Sequence, residues 1–321
     1  MATSCCGGAH GLPDAGRDAA FLKAALSVPL ASVETRQALS AELLDISGGF
    51  FDMGTRLSRF PGDFDAPRHK VKISSYRISA TACTNAEYAR FVAETGYRTV
   101  AETEGWSAVF HLFLDDPACW PDSPPGLAWW RKVDGACWSA PEGPGSDISN
   151  REDHPVVHVC WYDALAYCTW AGLSLPTEAQ WEYGARGGLS RKKFPWGNIM
   201  QPNGDHAMNT WQGQFPSANS AEDGYSGTGP VTAYTANGYG LFNTCGNVWE
   251  WTVNFYAPSC PAGPFPLRDP SGPATGSARI QRGGSYLCHE SYCDRYHVHS
   301  RTRNDPDSST GNAGFRVACN K

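Results

Sequence analysis

Cys288 and Cys293 sit in the aromatic-rich stretch GGSYLCHESYCDRY (residues 283–296), and their spacing admits three chemistries. A local disulfide is feasible if the loop turns back on itself. Closing so short a loop constrains the unfolded chain less than closing a long one. A redox-active dithiol is the second option. The third is a soft metal held by two thiolates, where a low coordination number suits Cu(I) better than zinc, which usually takes four ligands. Spacing alone does not choose between them. Ser285, His289, Ser291, Tyr292, Arg295, Tyr296, His297, His299 and Arg301 crowd the same segment. Hydroxyls and cations beside thiols stabilise thiolate and orient a polar substrate. His297 and His299 would share a face on a strand, as a metal pair or as ordinary satisfied histidines.

A second group of candidate ligands is oxygen-rich. Asn209, Asp223, Asn243 and Glu250 stand at turns and could bind a hard cation such as calcium. Asx-turn chemistry accounts for the same composition, and no EF-hand pattern is present. The other cysteines are scattered and no C-x-x-C pair occurs, which counts against a zinc ribbon or a thioredoxin-type motif. Most read as small buried hydrophobes, Cys168 among them. Cys5 and Cys6, in the Gly-flanked SCCGG, read as part of a disordered terminus.

The elements that must position these groups are short. Thirty-four Gly, 23 Pro and 12 Trp beside only 18% charged residues describe an irregular α+β domain rather than a helical bundle. Residues 1–44 read as an N-terminal extension, with short helices over 17–44 interrupted at Pro29. From residue 45 to 321 the chain changes to short strands and Gly-bounded turns. HKVKISSYRIS alternates like a half-buried strand. Thr84 with Glu87, and Thr177 with Gln180, form capping boxes before helices that Gly96 and Gly187 end. Asp163 is expected to cap a third helix that stops at Gly172. Residues from about 190 to 283 read as a long succession of turns.

Composition also excludes partners. The net charge of −6, without a basic run, argues against nucleic acid. No apolar stretch approaches the roughly 20 residues that cross a bilayer. The N-terminus lacks a basic start and an apolar core, so a cytoplasmic location is expected.

From about residue 45 to 319 the chain resembles the formylglycine-generating enzymes, or sulfatase-modifying factors. GGFFDMGT, TNAEYARFVAETGY, HPVVHV, LPTEAQWEYGARGGL, FPWGN, NTWQGQFP, NGYGLFN, GNVWEWT, RGGSYLCHESYC and GFRVA occur in family order. The paired cysteines are the specific part, since silent relatives of the same fold typically lack them. The resemblance implies a fold related to C-type lectins, with little regular secondary structure. It implies oxidation of a cysteine in a Cys-x-Pro-x-Arg-like segment of an unfolded sulfatase polypeptide to Cα-formylglycine, using molecular oxygen. It further implies Cu(I) held by Cys288 and Cys293, with the substrate thiolate as a third ligand. Ser285 and Tyr292 would hydrogen-bond near the metal and Trp249 would shape the oxygen pocket. Arg301, Asn312 and His289 would line the substrate side. Structural Ca²⁺ would bind Asn209, Thr210, Asp223 and Tyr225 at one site, and Asn243, Gly246, Val248 and Glu250 at another. Of the family's disulfide positions only Cys168 remains, with Ala185, Val298 and Val317 at the others, which suits a reducing compartment. Two other readings compete: a non-catalytic, lectin-like peptide-binding module, and an oxidase with histidine-bound iron.

Overall fold

The structure, a computed structural model, describes residues 14–260 and 264–321, so Cys5 and Cys6 lie outside the described residues. Among these residues the helices are α1 (Ala15–Leu26), α2 (Val33–Ala41), α3 (Asn85–Thr95), α4 (Val100–Glu104), α5 (Trp161–Ala171) and α6 (Glu178–Ala185). The break around Pro29 separates α1 from α2 as the sequence predicts. Phe21 of α1 packs on Tyr162 of α5 with ring centroids 5.9 Å apart, and Ala25 is fully buried.

The capping boxes of α3 and α6 form as expected, and Gly96 and Gly172 end α3 and α5 in the left-handed conformation. Asp163 is a correction. The helix begins a turn earlier, with Cys160 as its cap, and Asp163 sits inside the first turn. There its carboxylate accepts the Cys160 and Val100 N–H groups and the Tyr97 hydroxyl, at 2.8, 2.9 and 3.0 Å. A carboxylate three residues into a helix satisfies the same orphan donors as a cap side chain.

HKVKISSYRIS forms two strands instead of one. His69–Ile73 keeps the alternation, with His69, Val71 and Ile73 buried, and pairs antiparallel with Gly49–Met53. After a bend at Ser74 and Ser75, Tyr76–Ile78 lies between Leu44–Ile46 and Ala318–Asn320 in a second sheet. A third sheet has four strands in the order Arg301–Asn304, Arg279–Arg282, Trp249–Phe255, Ala313–Phe315, the last pairing parallel with its neighbour. The long strand Trp249–Phe255 falls where the sequence reads as turns. Its first four residues are all buried, so no polar–apolar alternation marks it as a strand.

Two aromatic-rich cores flank this sheet. One surrounds α5 with Trp170, Trp251 and Phe315; the other gathers Phe110, Trp130, Trp181 and Trp249 around Cys288 and Cys293. Cys168 belongs to the first core, as its sequence context suggests. Helices and short strands mix within one irregular α+β architecture.

Candidate active site

The thiols lie on a long excursion. Arg279–Arg282 and Arg301–Asn304 are antiparallel neighbours, yet residues 283–300 run out between them. Adjacent antiparallel strands are usually joined by two to five residues, so a loop this long calls for a function or strong anchors. The anchors are visible. Arg282 donates to the carbonyls of Val298 and His299 at 2.8 and 3.2 Å, which ties the end of the loop to its start. Its guanidinium also pairs with Glu178 and Glu182, one turn apart on α6, at 2.9 and 2.6 Å. Arg295 pairs with the buried Asp63 at 2.5 Å. At Gly284, with φ +78°, an added Cβ would stand 2.8 Å from the Arg295 carbonyl oxygen, so only glycine lets the loop fold back this closely.

Within the loop a tight turn brings the thiols together. The His289 carbonyl accepts the N–H groups of Tyr292, Cys293 and Asp294 at 3.1, 2.9 and 3.0 Å. Cys288 Sγ and Cys293 Sγ then lie 2.8 Å apart, and each residue is 1% exposed. The Ser285 N–H points at Cys288 Sγ at 3.4 Å. Asn312 Nδ2 donates to Ser285 Oγ at 3.0 Å, and Thr310 Oγ1 donates to Asn312 Oδ1 at 2.8 Å.

Strand ends deliver these groups to one place. Trp249 opens the central strand, Asn312 immediately precedes Ala313–Phe315, and Ser285 follows shortly after Arg282. The register Ala313 opposite Trp249 and Arg282 opposite Glu250 sets all three at one end of the sheet. The thiols border a cavity of about 10 Å³ walled by Trp129, Trp130 and Trp249, with Ser285, Tyr292 and Asn312 also in its lining. That is room for roughly one water-sized molecule. The indole N–H groups of the three tryptophans are buried without a hydrogen-bond partner. Tyr292 stacks on Phe215 with centroids 4.4 Å apart and meets Trp129 edge-on at 4.9 Å.

Other sequence candidates fall elsewhere. Arg301 does not reach the cavity that Asn312 lines. It is 1% exposed and pairs with Glu178 at 2.6 Å, with a further bond to the Ala257 carbonyl at 2.7 Å. A buried guanidinium must be paired, and these groups pair it beside a separate cavity of about 560 Å³. His289 is half-buried and its ring contacts Ser291 at 2.8 Å rather than the cavity. His297 and His299 do share a face, although the segment is not a strand: their rings stack 5.3 Å apart. His299 bonds Asp65 at 2.9 Å, while burial first, and His299 second, push His297 down to about 4. Among the described residues no set of three or more His, Cys, Asp or Glu side chains is arranged to hold a metal.

Trp129, Trp130 and Asn247 were not singled out from sequence. The WW doublet closing GLAWW was the available signal for the first two. Asn247, at φ +61°, ties three loops together. Its side chain donates to the Gly229 carbonyl and accepts the Gly229 N–H, both at 3.0 Å, and its own carbonyl accepts the Tyr286 N–H at 2.9 Å.

Residues 29–321 match the family model described as "Sulfatase-modifying factor enzyme 1-like domain". The chain belongs to this family. It is 50% identical to a formylglycine-generating enzyme of Thermomonospora curvata, over 88% of this chain and 94% of the relative. It is 40% identical to the inactive Cα-formylglycine-generating enzyme 2 of Mus musculus, over 86% and 85%. Family membership therefore covers chains named active and inactive. The fold matches PvdO of Pseudomonas aeruginosa with a TM-score of 0.61 at 22% identity, covering 87% of this chain and 94% of that one.

The metals expected of the family can be compared with the side chains present. Two adjacent buried sulfurs fit a soft, two-coordinate ion. In the first oxygen cluster Asn209 Oδ1 is buried without a partner, and Gln212 Nε2 bridges the Thr210 carbonyl and Asp223 Oδ2, so a donor already sits where those oxygens converge. These groups fit a hard cation. The second cluster fits less well. Asn243 Oδ1 is likewise buried and unpartnered, but both Glu250 oxygens bind Arg316, at 2.5 and 2.7 Å, and Oε2 also accepts the Trp181 N–H. The one carboxylate of that cluster is already neutralised.

Proposed function

We propose that the protein oxidises a cysteine in a Cys-x-Pro-x-Arg-like segment of an unfolded sulfatase polypeptide to Cα-formylglycine, with molecular oxygen as oxidant. The observation that carries this reading is the pair of buried sulfurs, 2.8 Å apart, facing a cavity of about 10 Å³ among three tryptophans. Cys288 and Cys293 would hold Cu(I), which when bound supplies one-electron chemistry toward oxygen. The protein's own residues do the remaining work. The Ser285 N–H donates to Cys288 Sγ, and Asn312 fixes the Ser285 hydroxyl. Trp129, Trp130 and Trp249 keep bulk water from the sulfurs, and Tyr292, clamped on Phe215, completes the lining. Arg301 supports the loop through Glu178. Structural Ca²⁺ is proposed at the Asn209 and Asn243 clusters, more strongly at the first. A reducing, cytoplasmic setting suits two thiols that must stay reduced.

The inactive relative at 40% identity keeps a second reading in view, a peptide-binding module without catalysis. Mass spectrometry of a synthetic Cys-x-Pro-x-Arg peptide, incubated with Cu(I)-loaded protein in air and a thiol reductant, decides between them. The reductant supplies the two electrons that O2 needs beyond the two taken from the cysteine, and the sulfur leaves as sulfide. The wild type is expected to convert the thiol to the aldehyde only when copper is present. Cys288→Ser and Cys293→Ser are each expected to abolish conversion while leaving the circular dichroism spectrum unchanged. An unconverted peptide with the wild type would favour the binding module; turnover by either variant would remove the ligand assignment.

A further inference from the structure

His158 is the least ordinary residue near the site that the proposed chemistry does not use. It is 1% exposed and has φ +57°, a left-handed backbone that a bulky side chain adopts only when its surroundings enforce it. Strained buried backbone of this kind clusters at functional sites. Apart from a bond to the Pro141 backbone, its hydrogen bonds lead to residues 309–311. The His158 N–H donates to the Thr310 carbonyl at 2.9 Å. Its Nδ1 lies 2.7 Å from Ser107 Oγ, and Ser107 Oγ lies 2.7 Å from Ser309 Oγ and donates to the Ser309 carbonyl at 3.1 Å. Ser107 and Ser309 are fully buried. The ring also packs against the next residue but one, since a Cβ on Gly311 would stand 3.1 Å from His158 Nε2.

Residues 309–311 are thus gripped by one imidazole, one hydroxyl and the strand Trp106–Phe110, where Ala108 bridges Thr310. The next residue is Asn312. Its amide holds Ser285 Oγ, and the Ser285 N–H faces Cys288 Sγ. Burial pushes His158 down to about 3, so the ring stays neutral near pH 7 and its bond to Ser107 does not come and go with protonation.

We propose that His158 and Ser107 are positioning residues for the thiol centre: they clamp residues 309–311 so that Asn312 holds Ser285 against Cys288. The assignment rests on the site proposed above, and its test does not require turnover. Metal-free protein is reduced and alkylated with iodoacetamide, and modification of each cysteine is followed by mass spectrometry. The variants are Ser107→Ala, which deletes the shared hydroxyl, and His158→Asn, which keeps a residue tolerant of positive φ. In both, Cys288 and Cys293 are expected to react roughly 2- to 30-fold faster, the range of mutational effects carried through such contacts. Cys168, buried in the other core, reports global unfolding and is expected to keep its wild-type rate.

Peptide kinetics add a second readout. If the wild type is active, kcat falls in both variants while KM changes less than about twofold, because the lost interaction lies behind the reacting groups. Unchanged rates at Cys288 and Cys293 overturn the proposal, as does equal acceleration at Cys168. A wild type that converts no peptide would sink the proposed function but leave the alkylation result standing as the test of the clamp.

Discussion

At the residue scale, the thiol centre depends on a chain of neutral donors more than on charge. Asn312 is its middle link, with Thr310 behind and Ser285 in front. Asn312→Ala removes the amide that fixes Ser285 Oγ. It is expected to lower kcat/KM for the peptide about 10- to 100-fold, or about 1.4–2.8 kcal/mol of transition-state stabilisation. Asn312→Asp keeps the shape but lacks the Nδ2 donor, so it should be impaired to a similar degree. Full activity in both variants would remove Asn312 from the site. The chain was partly legible in the sequence. Cys288, Cys293 and Ser285 announce themselves by sharing one segment, and Asn312 entered through family resemblance. Trp129 and Trp130, remote in sequence, gave no sign of facing the thiols, because a tryptophan that walls a site looks the same as one that fills a core. Arg301 also entered through the resemblance, and its pairing with Glu178 sets it beside a different cavity from the one Asn312 lines.

At the element scale, α6 holds the loop that carries the chemistry. The Thr177–Gln180 capping box starts the helix so that Glu178 and Glu182 stand one turn apart and both reach Arg282. This box was legible because capping is local chemistry. The strand Trp249–Phe255 was not, because burial on both faces erases the alternation that marks a strand. Burial works against the charge of Glu182, yet Arg186 and Arg282 outweigh it and hold the carboxyl at about 2, below its ordinary 4.5. The folded protein therefore keeps this charge where the unfolded chain takes up a proton. The resulting stability is present above about pH 4.5 and is lost as pH falls toward 2. Glu182→Gln leaves two buried guanidinium groups under-paired and is expected to cost about 3–5 kcal/mol at pH 7. Its urea midpoint should also change less than that of the wild type between pH 5 and pH 3. Parallel curves for the two proteins over that range would show that Glu182 is not the titrating group.

At the scale of the whole molecule, the oxygen clusters and the thiol loop are one assembly. The Asn209 carbonyl accepts the Asn247 N–H at 2.8 Å, the Gly246 N–H reaches the Gly283 carbonyl at 2.9 Å, and Asn247 accepts from Tyr286. Gly246 has φ +77°, and a Cβ there would meet the Asn209 carbonyl oxygen at 2.3 Å, so these loops touch backbone to backbone. A cation at the first cluster would replace the Gln212 bridge and give the orphaned Asn209 oxygen a partner, stiffening the same contacts. Binding of this kind adds about 2.7 kcal/mol of stability at a hundredfold excess over Kd. Calcium is thus expected to raise Tm and EDTA to lower it. Asn209→Ala should lose most of this response and Asn243→Ala less of it, because Arg316 already neutralises Glu250. A Tm indifferent to calcium and to chelator in the wild type would count against both clusters. The coupling has a second signature, since contacts that run from Asn209 through Asn247 to Tyr286 end two residues before Cys288. Chelator should therefore speed alkylation of Cys288 and Cys293 while leaving Cys168 unchanged. Equal protection of the thiols with and without calcium would mean that the two sites, though joined by hydrogen bonds, open independently.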